Sequence, residues 1–178
     1  EVRFWMDPLV LTFDIGTQSI RALLVDKKGD TVLCSQLRYE RIKLPSSVPG
    51  RAEQEPDFYY DRLCEACLAL RRMADKDPGK RFFERIKAVT ITCIRDTVMI
   101  LDKDCKPLRN IILWLDERRT DGEVNPVWWQ KLLFASVGMT ETVRMLYKDA
   151  FVNWIIENEP ELWERTYKFV LLPSYMNY

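Results

Sequence analysis

The chain has 178 residues, enough for about one domain burying roughly 70% of its unfolded surface, so it is neither a peptide nor a linker. Lysine plus arginine and aspartate plus glutamate balance at 27 each, which leaves no net field to draw nucleic acid or an anionic membrane; partners must be recognised at local sites. Histidine is absent, which excludes His-dependent zinc sites, the Ser-His-Asp triad and Cys-His nucleophile pairs, and five scattered cysteines make no disulfide framework, as in a reducing compartment.

Residues 1–8 are expected to be a disordered or cloning-derived leader, with Met6 as a candidate natural start. Val10–Phe13, Ile20–Val25 and Thr31–Arg38 read as three strands of an antiparallel meander, with Lys27–Asp30 as the second turn. Leu44–Gly50 carries two Pro, two Ser and a Gly and reads as a loop. Pro56 suits the first position of a helix flanked by acidic Glu55 and Asp57, and Tyr59, Leu63, Cys67, Leu70 and Ala74 then share one face. The Cys64–Cys67 spacing lies inside this helix and reads as core packing, without the further ligands that a metal site needs. Asp77-Pro78-Gly79 ends the helix, and Ile86–Thr92 and Thr97–Leu101 are strands; the intervening helix is the crossover that parallel pairing requires.

Further along, Ile111–Trp114 reads as a short strand and Asp116–Thr120 as a polar helical turn. Asn125-Pro126 caps a helix to about Val137 with Trp128, Leu132 and Ala135 inward, and Gly138 stops it. Ala150–Glu157 and Pro160–Glu164 are consecutive helices, and Tyr167–Leu172 closes as a strand. Trp128, Trp129, Trp154 and Trp163 are expected as core anchors of helices, not as a base-stacking strip. The element order predicts an α/β fold with a mixed sheet. No apolar run approaches the ~20 residues of a membrane span and no signal peptide is evident, so the expected location is the cytoplasm, with neither nucleic acid nor membrane as a partner.

Asp14 ends the first apolar strand, where a carboxylate is costly to desolvate unless it meets a cation, a donor or a held water. Gly16, Thr17, Gln18 and Ser19 follow with lightly covered N–H groups and hydroxyls, and Arg21 adds a fixed positive charge, a combination that suits a phosphate and its Mg²⁺. The alternative for Asp14 is a carboxylate capping a hairpin turn.

Asp14-Ile15-Gly16-Thr17-Gln18-Ser19, a basic residue and a strand ending in Asp26 resemble the first phosphate motif of the actin-like sugar kinases. Four later segments resemble those of the FGGY family of carbohydrate kinases, which includes glycerol, xylulose and gluconate kinases. They are Gly50–Pro56, Ile86–Thr92 with Arg95-Asp96 and Leu101-Asp102, Ile112–Arg119 with its Trp-x-Asp-x-Arg pattern, and Asn153–Glu161 followed by Val170–Met176. Each alone is a weak signal; five in the family's order across nearly the whole chain are specific.

The resemblance implies an RNase H-like, actin-like ATPase domain, incomplete here: residues 9–178 as a truncated amino-terminal kinase domain that uses ATP and Mg²⁺ and accepts a small sugar or polyol. It implies Asp14 as catalytic anchor, touching Mg²⁺ through water, with Gly16, Thr17, Gln18, Ser19 and Arg21 on the nucleotide. It places the family's general base and adenine pocket beyond Tyr178. Arg95 and Asp96 match an Arg-acidic pair that in the glycerol kinase branch holds adjacent hydroxyls of the acceptor; a Met-His pair stands there in the xylulokinase branch. Their alternative is a self-satisfied surface pair. Trp114 either covers the apolar face of the acceptor or belongs to the core, and Asp116 with Arg118 either lines the acceptor cleft or forms a structural ion pair. Phe151 departs from the family by standing where a lysine is common. The competing reading is a non-catalytic actin-like interaction module or an inactive fragment, with an exposed apolar surface where the absent half would pack and hence a homodimer or other self-association. A phosphohydrolase on the same fold lacks a nominated water-activating group.

Overall fold

A computed structural model describes residues 7–39 and 48–177, which divide into two compact units. Unit 1 takes the described residues within Glu1–Lys43, Gln54–Asp96 and Leu171–Tyr178; unit 2 takes those within Leu44–Glu53 and Thr97–Val170. The leader up to Met6 and most of the Leu44–Gly50 loop lie outside the described residues. Asp7, assigned to the leader from sequence, is tied into unit 1: its carboxylate accepts from Lys27 Nζ at 2.7 Å and its carbonyl from Arg85 Nε at 2.9 Å.

Unit 1 is built on a sheet of four strands in the order β3-β2-β1-β5, with β1 Leu9–Ile15, β2 Ser19–Val25, β3 Thr31–Arg38 and β5 Ile86–Cys93. The first three form the expected antiparallel meander, and β5 joins β1 in parallel after the crossover through helix α1, Phe58–Ala74. Period-two alternation decides which face is dry. Leu9, Leu11, Phe13 and Ile15 of β1 and Ile20, Ala22 and Leu24 of β2 are buried, and Val10, Thr12, Asp14, Arg21 and Leu23 between them are half-buried or exposed. Helix α1 covers the dry face, where the buried Ser35 hydroxyl of β3 donates to the Ala66 carbonyl at 2.7 Å. Tyr59, Ala66, Leu70 and Ala74 supply the helix's side of that contact. The β2–β3 turn is held by the Asp26 carboxylate, which accepts from the N–H groups of Lys28 and Asp30, and Gly29 takes the left-handed conformation there (φ 89°) that a glycine adopts without strain.

After α1 the chain makes two short 3₁₀ turns, Pro78–Lys80 and Phe82–Arg85. The short helix α6, Leu172–Met176, packs on β5.

Apart from the terminal residues Gln54 and Leu171, which fall in unit 1, the second sheet belongs to unit 2, in the order β4-β7-β6-β8: β4 Glu53–Gln54, β6 Val98–Leu101, β7 Ile111–Ile112 and β8 Lys168–Leu171. Every residue of β6 and β7 is buried, and Val98, Ile100 and Ile112 pack with Trp154 and Ile155 of helix α4, Phe151–Asn158. Helices α2 (Trp128–Ser136) and α3 (Thr140–Asp149) precede α4, and α5 (Pro160–Arg165) follows it.

Several sequence expectations fail in unit 2. Residues 116–120 form no helical turn, because the Asp116 carboxylate is spent on other donors, as set out below. In α2, Trp128 and Leu132 point outward at 78% and 67% exposure and Ala135 is exposed as well; the periodicity was right and the face was reversed. Trp129 is likewise exposed; Trp154 is buried as expected and Trp163 half-buried. Among the described residues no helix is long and apolar enough to cross a membrane. Truncating Leu24, fully buried under α1, to Ala should cost about 2–5 kcal/mol in urea unfolding followed by circular dichroism. The same change at Leu68, exposed on α1, should cost well under 1 kcal/mol.

Candidate functional site

The sequence places a carboxylate and a guanidinium on adjacent strands of unit 1, and register makes them face each other. Asp14 of β1 is the direct partner of Arg21 of β2 and, on its other side, of Thr92 of β5. Arg21 Nη1 donates to Asp14 Oδ2 at 2.8 Å, with the side chains 44% and 42% exposed. An ion pair that open to water contributes at most about 1 kcal/mol to stability, so folding alone is a weak reason for its presence. The two charges remain accessible on the face that α1 leaves uncovered.

Between them runs the turn 16–18. The Gly16 N–H closes it by donating to the Ser19 carbonyl at 2.9 Å, and the Gln18 carbonyl accepts from the Tyr39 N–H at 2.9 Å. The Gly16 N–H is therefore committed to the turn, which corrects the expectation that it is offered outward; Thr17 and Gln18 form the apex. A Cβ at Gly16 would meet the Ser19 carbonyl oxygen at 3.2 Å, so the turn is tight enough to favour glycine. Gln36 Nε2 of β3 donates to Ser19 Oγ at 3.2 Å and extends the polar strip.

Cys93, at the end of β5, is pushed up to about 11 by burial and by the Asp14 charge, so near neutral pH it is a thiol and no nucleophile. Burial likewise raises the phenols of Tyr39 and Tyr59 above their ordinary value. Arg95 and Asp96 follow β5 in the same unit and are both exposed. Asp96 is left-handed (φ 53°), a conformation that aspartate tolerates better than most residues.

In unit 2 the expected Trp-x-Asp-x-Arg segment separates into two roles. Trp114 is 48% exposed, so it is not a core residue. Asp116 is buried and its carboxylate accepts four hydrogen bonds: from the Ala52 N–H at 2.6 Å, the Arg118 N–H at 3.0 Å, Arg118 Nε at 2.6 Å and Arg118 Nη2 at 2.7 Å. Those bonds fill its acceptor capacity, so Asp116 holds the chain and has no lone pair to spare for an acceptor hydroxyl. Arg118 also reaches Glu53 at 2.6 Å, Glu53 binds Arg109, and Arg109 Nη1 reaches Glu159 at 2.5 Å. Among the described residues the remaining Arg118 Nη1 has no hydrogen-bond partner, and its guanidinium lies 4.5 Å from the centroid of the Trp154 ring, an alternative attraction for a planar cation. Glu53, Arg109, Trp154 and Glu159 are not legible as a network in the sequence, since the ion pairs that join Arg109 to Glu53 and Glu159 span 50 residues or more along the chain.

Burial works to raise Asp116, but the bonds from Arg118 and from the Ala52 N–H outweigh it and hold its carboxyl below the ordinary aspartate value of 3.8.

The comparisons with known proteins agree with one another. The family profile described as FGGY family of carbohydrate kinases, N-terminal domain, matches residues 9–178. A xylulose kinase of Lactococcus lactis subsp. lactis is 28% identical over 170 residues, covering 94% of this chain and 32% of the relative. A glycerol kinase of Thermococcus gammatolerans is 30% identical over 166 residues, covering 92% and 31%. A crystal structure described as a xyloylose kinase from Brucella ovis matches with a TM-score of 0.71 at 22% identity, over 95% of this chain and 33% of that one. The fold is therefore that of the sugar kinases, an α/β actin-like ATPase domain with a mixed sheet, and the chain spans about a third of the length of the curated relatives it matches.

The buried pair in unit 2 yields a pH prediction with a definite sign. The Asp116 pKa is depressed on folding, so its stabilisation is full above the unfolded value of 3.8 and is lost as pH falls through the lower folded value. Asp116→Asn should flatten the acid limb of the unfolding curve. Arg118→Ala, which strands a buried carboxylate, should cost about 3–5 kcal/mol by urea denaturation.

Proposed function

The chain belongs to the FGGY family of carbohydrate kinases, and on that premise we propose that it is the amino-terminal part of an ATP-dependent kinase that phosphorylates a hydroxyl of a sugar or polyol. The observation that carries this reading for the chain itself is the solvent-open Asp14–Arg21 pair flanking the tight Gly16 turn. Phosphoryl transfer asks a protein mainly to position the reactants and to neutralise charge. Arg21 is suited to bind a phosphate oxygen by a charge-assisted hydrogen bond, and the apex of Thr17 and Gln18, with the Ser19 hydroxyl, is suited to orient the triphosphate chain.

The residues present also fit a magnesium ion carried by the nucleotide. Among the described residues no group of three or more His, Cys, Asp or Glu could hold a metal by itself. A hard cation that keeps most of its waters and its phosphate oxygens needs only one carboxylate to accept from a bound water, and Asp14 is the residue for that role. Bound there, the ion would offset the charge on the phosphate oxygens.

For the acceptor, Arg95 and Asp96 are suited as a donor–acceptor couple to adjacent hydroxyls, and separately the half-exposed Trp114 is suited to meet carbon-bound hydrogens. Asp116 belongs to this reading as the residue that fixes the Trp114 segment. As the new O–P bond forms and the bond to the ADP oxygen breaks, the acceptor proton goes to a carboxylate expected from the part of the longer relatives outside these residues. A cytoplasmic setting accords with five free cysteines.

Titration of Mg-ATP into the isotope-labelled chain should shift the amide signals of residues 16–21 saturably. Arg21→Ala and Asp14→Asn should each weaken binding about tenfold or more, the scale of one charge-assisted hydrogen bond. Shifts confined to other residues would refute the assignment. The chain alone should show no acceptor-dependent ADP release across a panel of sugars and polyols, whereas robust release would show that the described residues suffice. In an enzyme of the relatives' full length, Arg95→Ala should cost about 1.5–3 kcal/mol of acceptor binding, measured by calorimetry.

A further inference from the structure

In unit 1 the two charged groups suited to the nucleotide are engaged with each other: Arg21 Nη1 donates to Asp14 Oδ2 at 2.8 Å. Strand register keeps them together. Across β3, β2, β1 and β5, Gln36, Arg21, Asp14 and Thr92 are successive direct partners, so they share the open face of the sheet. Asp14 is the acid of that row and Arg21 its base.

An anion that binds Arg21 must therefore draw it away from Asp14, and the carboxylate left behind is a like charge at the anion's side. The field of Asp14 already opposes a second anion next to it: burial first, and then this carboxylate, push the Cys93 thiol up to about 11. A nucleoside triphosphate stripped of its cation meets that repulsion in full. One that carries magnesium has less charge to present, and a water of the ion can donate to the carboxylate. Among the described residues no cluster could recruit the ion in advance, so it has to arrive on the nucleotide.

We propose that the Asp14–Arg21 pair selects metal-bound over metal-free nucleotide, Asp14 acting against the metal-free form by holding Arg21 and repelling the phosphates. The inference rests on the kinase reading for where the triphosphate binds, and adds that Asp14 has opposite effects on the two forms of the ligand. Discrimination of this kind comes from an unfavourable contact with the wrong ligand as much as from a favourable one with the right ligand. A carboxylate that only met the metal's water would leave metal-free binding unchanged when removed, and one that only oriented Arg21 would support both forms alike. Releasing an ion pair this open to water is worth up to about fivefold in an equilibrium constant, and relief of the repulsion acts in the same direction.

The test is amide-shift titration of the isotope-labelled 178-residue chain with ATP in excess magnesium and with ATP in EDTA, at one ionic strength. Asp14→Asn should weaken Mg-ATP by about tenfold or more and tighten metal-free ATP by about threefold to tenfold. Arg21→Ala should weaken both. Because the pair is hydrated, its loss should leave the circular dichroism spectrum unchanged, and Asp14→Ser is a second variant with the same expected signs. Asp30→Asn removes an exposed acid of unit 1 at the far end of β2 and β3 from the 16–18 turn, with the same change in net charge, and should alter neither affinity by more than about twofold. Metal-free ATP that binds Asp14→Asn no more tightly than the parent, or a tightening reproduced by Asp30→Asn, would overturn the inference and leave the nucleotide site in place. A parent chain in which neither form of ATP shifts residues 16–21 would overturn the site and the inference with it.

Discussion

The placement of chemistry in unit 1 depends on the strict alternation of β1. Leu9, Leu11, Phe13 and Ile15 must all face α1, and a strand with period two then has no choice about Asp14: it emerges on the opposite, uncovered face. The antiparallel register with β2 sets Arg21 directly across, and the parallel register with β5 sets Thr92 on the other flank. A slip of one residue would bury the carboxylate beneath α1 and expose the leucines. The apolar contacts that hold the sheet therefore also fix where the Asp14–Arg21 pair is presented, and that pair costs the fold little because it stays hydrated.

Unit 2 handles charge in the opposite way. Asp116 and Arg118 are removed from water, which is unfavourable for each alone, and the loss is offset only because every Asp116 acceptor site is filled and the guanidinium also meets Glu53 and the Trp154 ring. Such a network specifies geometry more than it adds stability. Its consequence is that the segment Leu113–Arg118 is tied to Ala52, through the Leu113 N–H to the Ala52 carbonyl and the Ala52 N–H to Asp116, which gives the half-exposed Trp114 indole a fixed support. The contrast separates two charged pairs that look alike in sequence: one open to water, the other closed and structural.

Much of this was legible before any coordinates. The meander, the crossover helix and the parallel fifth strand followed from apolar alternation and from Asp77-Pro78-Gly79, because those signals are local and the tertiary context agrees with them. Helix α3 was missed, since Thr140, Thr142 and Val143 depress helix propensity and packing, not propensity, decides there. The inward face assigned to α2 was reversed because periodicity reports that a helix has an apolar side and says nothing about which side the rest of the molecule covers. The Asp116–Arg118 pair was visible as a motif, but its structural role required knowing that Ala52, far away in sequence, donates to the same carboxylate. The internal hydrogen bond of the Gly16 turn is not legible in the sequence, because a sequence does not show which N–H closes a turn.

The central claim is that the bend after β1 and its flanking charges exist to hold a nucleotide triphosphate. A crystal structure of the chain grown with magnesium and a non-hydrolysable ATP analogue tests this most directly. The account predicts phosphate oxygens within hydrogen-bond distance of Arg21 and of the Thr17–Ser19 segment, with the Asp14 carboxylate facing the metal's water shell. An analogue bound elsewhere, with Asp14 still engaged by Arg21 alone, would contradict it.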